Sequence, residues 1–183
     1  AILDLYNNEP NEGMRCIREI IARVGEENYA VPVSYDVFET RYRGDLPDLD
    51  YDIYISTGGP GSPFEGEGSA WEKDYFHWLD RVQKNNEDDA KPRKFVFGIC
   101  HSFEIMTRHF GYADVTPRKS ESFGIMPVHK TNEGQDDPLL RGLANPFFGA
   151  DFRKFQVVQP RQSRINELGI EILALEKIRP HVD

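Results

Sequence analysis

Cysteine is scarce in this sequence. Only Cys16 and Cys100 occur, in no CxxC pair and at no His/Cys spacing that suggests zinc. A disulfide framework is not expected, and a reducing, cytoplasmic setting is. Basic residues are also short: 22 Lys and Arg stand against 31 Asp and Glu, a net charge of −9. Such a surface repels phosphate backbones and argues against bulk nucleic-acid binding. No apolar run is long enough to span a bilayer, so no membrane partner is expected. The opening stretch AILDLYNNEP lacks the basic region and cleavage site of a signal peptide. Internal repeats, low-complexity tracts and linkers are missing too. Nothing in the sequence calls for a metal or a cofactor.

What is present suits one globular domain with a substantial core: 183 residues, 29% charged and 39% hydrophobic. Strand-like and helix-like segments alternate. AILDLY is apolar and extended. MRCIREIIARVG places Met14, Ile17, Ile20, Ile21 and Val24 at helical spacing, with Gly25 as a stop and Cys16 as inert packing. YAVPVSYDVFE alternates but carries a proline, which predicts an edge strand. YDIYIS is a strand running into a glycine-rich loop. Ser69 and Glu72 then form a capping-box pattern before a helix whose apolar face holds Trp71, Tyr75, Trp78, Leu79 and Val82. The acidic run NNEDDA reads as a solvated loop. KFVFGI is the most strand-like run, HSFEIMTRHF a helix directly behind it, and the remainder is strand-rich. This order predicts an α/β fold: a mainly parallel sheet with helices on both faces. Ligands of such sheets bind beyond the carboxyl ends of the strands, where the glycine-rich loop and the turn after KFVFGI both fall.

That turn, Gly98-Ile99-Cys100-His101-Ser102, joins strand to helix with almost no loop. Two readings stand. Cys100 is either a small apolar residue closing a buried strand or a nucleophile on a sharp elbow. On the second reading the helix start favours a thiolate, lowering the thiol pKa from its free value of about 8.5.

The loop STGGPGSP, Ser56 to Pro63, holds three glycines and two prolines. A plain turn is one reading. A phosphate cradle is poorly supported, because the P-loop lysine and the G-x-G-x-x-G spacing are both missing. An oxyanion hole is the third. Thiolate attack on an amide creates an oxyanion that each preorganised donor stabilises by about 2.7–4 kcal/mol. The amides of Gly59 and His101 are the donors expected.

Taken together, a strand ending in ISTGGPGSP and, one helix later, a strand ending in FGICHSFEIM resemble the class I glutamine amidotransferases, which carry a GGPG-type loop and a G-I-C elbow in this order. The resemblance runs from residue 1 to about residue 175, the later part by element order. It implies a three-layer, flavodoxin-like fold and glutamine hydrolysis through a cysteine thioester. It also implies ammonia transfer to an acceptor, with a separate synthase as partner. Carried over by position, Cys100 is the nucleophile and Gly59 and His101 supply the oxyanion amides. Gly58 and Glu104 are placed as substrate contacts.

The sequence departs from that family in three places. Ser102, Phe103 and Glu104 stand where the usual elbow continues Gly-His-Gln. No late His-Pro-Glu motif occurs; His181-Val182-Asp183 resembles it superficially and His181 is read as a tail residue. The expectation is a single amidotransferase-like domain over residues 1–183, with the catalytic His-x-Glu segment lying beyond it. No synthetase signature follows, and Gln156 and Gln159 lie where the family flanks its glutamine pocket. His77, His109 and His129 are expected on surfaces or in packing. Two alternatives stay open: a related cysteine hydrolase of the γ-glutamyl hydrolase or protease/deglycase type, and a catalytically inactive binding module.

Overall fold

The computed structural model describes residues 1–27 and 32–176. His181 therefore lies outside the described residues. The chain divides into two compact units, Ala1–His109 and Phe110–Asp183.

The first unit is a four-stranded parallel sheet with helices. Its strands are β1 (Ile2–Leu3), β2 (Val37–Phe38), β3 (Ile53–Ser56) and β4 (Phe95–Gly98), in the order β2-β1-β3-β4. The helices are α1 (Glu12–Glu27), the short α2 (Thr40–Arg43), α3 (Ala70–Asn86) and α4 (His101–Phe110). Side chains alternate across a strand, and the alternation assigns the layers. Ile2 and its register partner Ile55 pack with Met14 and Ile17 of α1. Tyr54, one residue from Ile55, points the opposite way and meets Trp78 of α3 edge-on, with ring centroids 5.1 Å apart. So α1 and α3 cover opposite faces, and the sheet is the middle of three layers. Of the strand expected around YAVPVSYDVFE, Val37 and Phe38 form β2, at the end of the strand order, while Tyr29, Ala30 and Val31 lie outside the described residues.

Three expectations about these elements need correction. Helix α1 runs through Gly25 to Glu27. Its buried stripe is Met14 and Ile17, and Cys16 is exposed. A residue two positions from Met14 is rotated about 200° around the helix, so Cys16 faces away from the sheet. Finally, β4 is more open than a buried strand: among the described residues its one strand neighbour is β3. Phe95 and Phe97 stand beside Ile53 and Ile55 on the α1 face, yet they are 62% and 63% exposed.

Helix α3 starts as its capping pattern predicts, with the Ser69 hydroxyl accepting from the Glu72 amide at 3.4 Å. The Glu72 carboxylate does not return to Ser69. It is buried and takes a 2.7 Å hydrogen bond from Arg108 of α4. At the other end, Asn86 bonds both the N–H and the carbonyl of Lys94, each at 2.8 Å, fixing the entry into β4.

The second unit is antiparallel. β5 (Asp114–Lys130) pairs with β6 (Phe147–Val158) and with β7 (Ala174–Leu175), in the order β6-β5-β7. Helices α5 (Asn132–Asp136) and α6 (Gln162–Leu168) and a 3-10 turn (Pro138–Leu140) complete it. Its polar knot runs from Ser122 to Asp151 at 2.6 Å, on to Arg153, and through Glu176 to Arg118 at 2.7 Å. Burial alone would raise the Asp151 pKa. The Arg153 and Ser122 hydrogen bonds outweigh it and hold the carboxyl below its usual value. Gln156, read as a candidate pocket residue, bonds Thr116 at 3.4 Å within this sheet.

Candidate active site

Parallel pairing brings the carboxyl ends of β1, β3 and β4 to one edge of the first unit's sheet. Cys100 lies there between Gly98, the last residue of β4, and His101, the first of α4. Its φ is 50°, a left-handed conformation that costs a non-glycine residue roughly 1–3 kcal/mol. The turn is held by neighbouring backbone bonds. The Ile99 amide donates to Ser56 at 2.9 Å, and the Glu104 amide donates to the Cys100 carbonyl at 3.0 Å. Gly98 makes the close fit of helix on strand feasible: a Cβ there would lie 2.9 Å from Met106 Sδ. Ile99 turns into the α1 core, while Cys100 is exposed. Cys100 therefore stands at the surface, immediately before a helix whose leading N–H groups have no intrahelical acceptor.

The glycine loop lies against this elbow. A Cβ on Gly58 would sit 3.6 Å from the Cys100 Cβ. Gly59 approaches the chain just after β1 so closely that a Cβ would be 2.5 Å from the Leu5 carbonyl oxygen. Thr57 anchors the loop by accepting from the Leu5 amide and donating to the Gly58 carbonyl, both at 2.9 Å. Two guanidiniums strap its outer half. Arg41 donates to the Pro60 carbonyl at 2.7 Å and to Glu65 at 3.3 Å. Arg108 donates to the Pro63 carbonyl and to Glu72, and lies over the Phe64 ring.

Ser102 acquires a structural role. Its hydroxyl donates to the Thr57 carbonyl and lies 2.7 Å from the Ser56 hydroxyl, which is 2.9 Å from the Tyr75 hydroxyl. All three side chains are buried. This chain of hydroxyls bolts the elbow to the root of the glycine loop. At the matching position the resembled family has a glycine, which cannot make it.

His101 is only 3% exposed and faces inward. Burial, then the charges of Arg41 and Arg108, push its pKa down to about 4, so the imidazole is neutral at physiological pH. Glu104 is 6% exposed, on the same buried face of α4. Of the other described histidines, His129 is half-buried on β5. His77 is exposed. His109 pairs with Asp80 at 2.6 Å and stacks on Phe76. It sits eight residues along α4, about 12 Å from the elbow. Among the described residues no cluster of three or more His, Cys, Asp or Glu forms a metal site, and no helix is long and apolar enough to cross a membrane.

The residue that sequence reasoning missed is Tyr6. It follows β1 at the same sheet edge and packs against the α1 core. Its hydroxyl would be 3.4 Å from a Cβ on Gly58, so it borders the same small space as Cys100. Its place just beyond a strand's carboxyl end was the signal available. Two hollows, of about 210 and about 380 Å³, open beside Asp4 and Glu9; Tyr6 lines the larger, and Cys100 lines neither.

No family model matches the chain, and no curated protein does. Solved structures match. One is the protein SMU.1228c, at 21% identity and a TM-score of 0.60, over 98% of this chain and 68% of that one. A glutamine amidotransferase from Thermotoga maritima matches at 21% identity and a TM-score of 0.64, over 87% of this chain and 63% of its own. A protein provisionally described as one of the subunits of GMP synthase, from Thermoplasma acidophilum, matches at 15% identity and a TM-score of 0.52, over 87% of this chain and 67% of its own. The chain thus spans roughly two thirds of each of these proteins. At such identities the likeness concerns the fold, which is the flavodoxin-like α/β fold of glutamine amidotransferase structures.

Proposed function

We propose that the chain is a class I glutamine amidotransferase-like protein that hydrolyses the side-chain amide of glutamine. The observation that carries this reading is an exposed Cys100 at φ 50°, on a strand-to-helix elbow against a glycine loop. In the proposed reaction the Cys100 sulfur bonds to the glutamine carboxamide carbon. The resulting oxyanion accepts from the amides of Gly59 and His101. The C–N bond breaks, the nitrogen takes up a proton and leaves as ammonia, and a γ-glutamyl thioester remains. Water then cleaves the thioester, releasing glutamate and regenerating the thiol. Gly58, beside the Cys100 β-carbon, and Glu104 are the proposed substrate contacts. No described residue is assigned as the general base.

The arrangement around Cys100 supports the assignment in two ways. The Ser56–Ser102–Thr57 bonds and the two arginine straps hold loop and elbow rigid, which preorganised donors require. The buried, neutral His101 ring also places no charge of its own beside the elbow. A separate synthase is the proposed recipient of the ammonia, in keeping with the description of the Thermoplasma protein as part of a synthase. A reducing cytoplasm suits a cysteine kept as the thiol.

The test is to incubate the protein with glutamine and measure ammonia, and to map covalent labelling by a glutamine-mimicking electrophile. Ammonia release and labelling at Cys100, both lost in Cys100→Ser, are expected. One observation favours a second reading: Glu104 offers a buried carboxylate where the resembled family has an amide. Cys100 labelling by general thiol reagents, without glutamine turnover, would support a related cysteine hydrolase instead. A Cys100 unreactive toward both would leave a binding module.

A further inference from the structure

Tyr6 is built into the elbow more closely than packing alone requires. Its ring rests on the cluster of Ile2, Met14 and Ile17 that joins β1 to α1. Its backbone amide is fixed by the Asp4 carboxylate at 2.7 Å. The hydroxyl occupies a socket that exists because two residues lack side chains. A Cβ on Gly13, in the first turn of α1, would lie 2.3 Å from Tyr6 Oη, far inside contact distance. A Cβ on Gly58 would lie 3.4 Å from Tyr6 Oη and 3.6 Å from Cys100 Cβ. Hydroxyl and cysteine thus flank one gap, floored by glycine. The hydroxyls of Tyr51, Tyr54 and Tyr75 each bond a carboxylate, a carbonyl or a serine. Among the described residues the Tyr6 hydroxyl has no such bond, neither to an oxygen or nitrogen nor to the Cys100 sulfur.

We propose that Tyr6 is a positioning residue for the nucleophile, its phenolic hydrogen turning across the Gly58 gap to the Cys100 sulfur as the thiol ionises, so that the thiolate is favoured and aimed. The inference rests on Cys100 being the nucleophile and adds to it a partner from the end of β1. The titratable groups around the phenol are Cys100 at the elbow, Asp4 beside it in the chain and Cys16 on α1. Burial, then the charge of Cys100, raise the Tyr6 pKa above its ordinary value, so the group is a protonated donor at neutral pH. A charge-assisted bond of this kind favours the ionised sulfur.

The experiment is the pH dependence of Cys100 alkylation by iodoacetamide, followed by mass spectrometry. A Cys16→Ser background removes the second exposed thiol. Tyr6→Phe deletes one oxygen, and the apparent thiol pKa is expected to rise by about one unit, with several-fold slower alkylation at pH 7. Gly13→Ala displaces the hydroxyl from its socket and should produce a similar shift. The double variant should shift no further than Tyr6→Phe alone. Thermal melts of each variant report the fold separately, since a merely structural role would lower the melting temperature and leave the pH profile in place. An unchanged profile in folded Tyr6→Phe overturns the proposal. If glutamine turnover persists at the same time, it overturns the proposal alone and leaves the nucleophile reading standing. A wild-type Cys100 that resists alkylation at every pH overturns both.

Discussion

His101 shows how an ordinary residue becomes unusual by position. Burial and two guanidiniums keep its ring neutral down to about pH 4. In the unfolded chain it titrates near 6.5. Between these values the unfolded state binds the extra proton, so stability must fall as pH drops from about 6.5 toward 4, by up to about 1.4 kcal/mol per pH unit from this group. His101→Gln should flatten that part of the curve. Urea unfolding at a series of pH values, followed by tryptophan fluorescence, tests it. Trp71 and Trp78 are the two tryptophans, and both belong to the first unit. Gly59 makes a second residue-scale case. A methyl there meets the Leu5 carbonyl oxygen at 2.5 Å, a backbone atom that cannot rotate aside. Gly59→Ala is expected to cost about 1–3 kcal/mol by the same assay, and an unchanged midpoint would mean the loop is looser than its packing implies.

At the scale of elements, the central fact is how α3 and α4 share Glu72 and Arg108. The Ser-x-x-Glu spacing predicts the start of α3 correctly, because the Ser69 side chain meets a local amide. The same pattern says nothing of where the Glu72 carboxylate goes, since Arg108 is 36 residues away. Both side chains are largely buried, at 4% and 14% exposure. Arg108→Ala would leave a buried carboxylate unpaired and free the Pro63 carbonyl, at a cost of about 3–5 kcal/mol. Arg15→Ala removes two ion pairs, with Glu12 and Glu19, but these lie on the open face of α1 and their loss should leave the midpoint nearly unchanged. Melting the two variants side by side checks the contrast; equal effects would contradict it. If the proposed glutaminase reaction holds, Arg108→Ala should also slow it, because the strap holds the loop that carries Gly59.

For the whole molecule, acidity is the governing property. A net charge of −9 predicts no retention of a duplex DNA fragment in a gel-shift assay at physiological salt. Retention would reveal a basic surface that the overall balance conceals. The fold, shared with the Thermotoga amidotransferase at 21% identity, rests on a pattern rather than on particular side chains. Alternating strand and helix signals lead to a three-layer parallel sheet with few alternatives. The exposure of β4 escapes the sequence for a related reason: an apolar run shows that a strand is present, not how many neighbours it has. Phe95 and Phe97 are exposed where, among the described residues, β4 is flanked by β3 alone.

The sequence by itself determined the order of elements, the parallel sheet and the two glycine-bearing turns at its carboxyl edge. These follow from local periodicity and from backbone conformations that a few adjacent residues decide. Tertiary structure alone decided that Ser102 binds Thr57, that His101 faces inward between two arginines, and that Tyr6 borders the space beside Cys100. Each of those depends on residues tens of positions apart, brought together when parallel strands end at one edge, and no local pattern encodes which side chains will meet there.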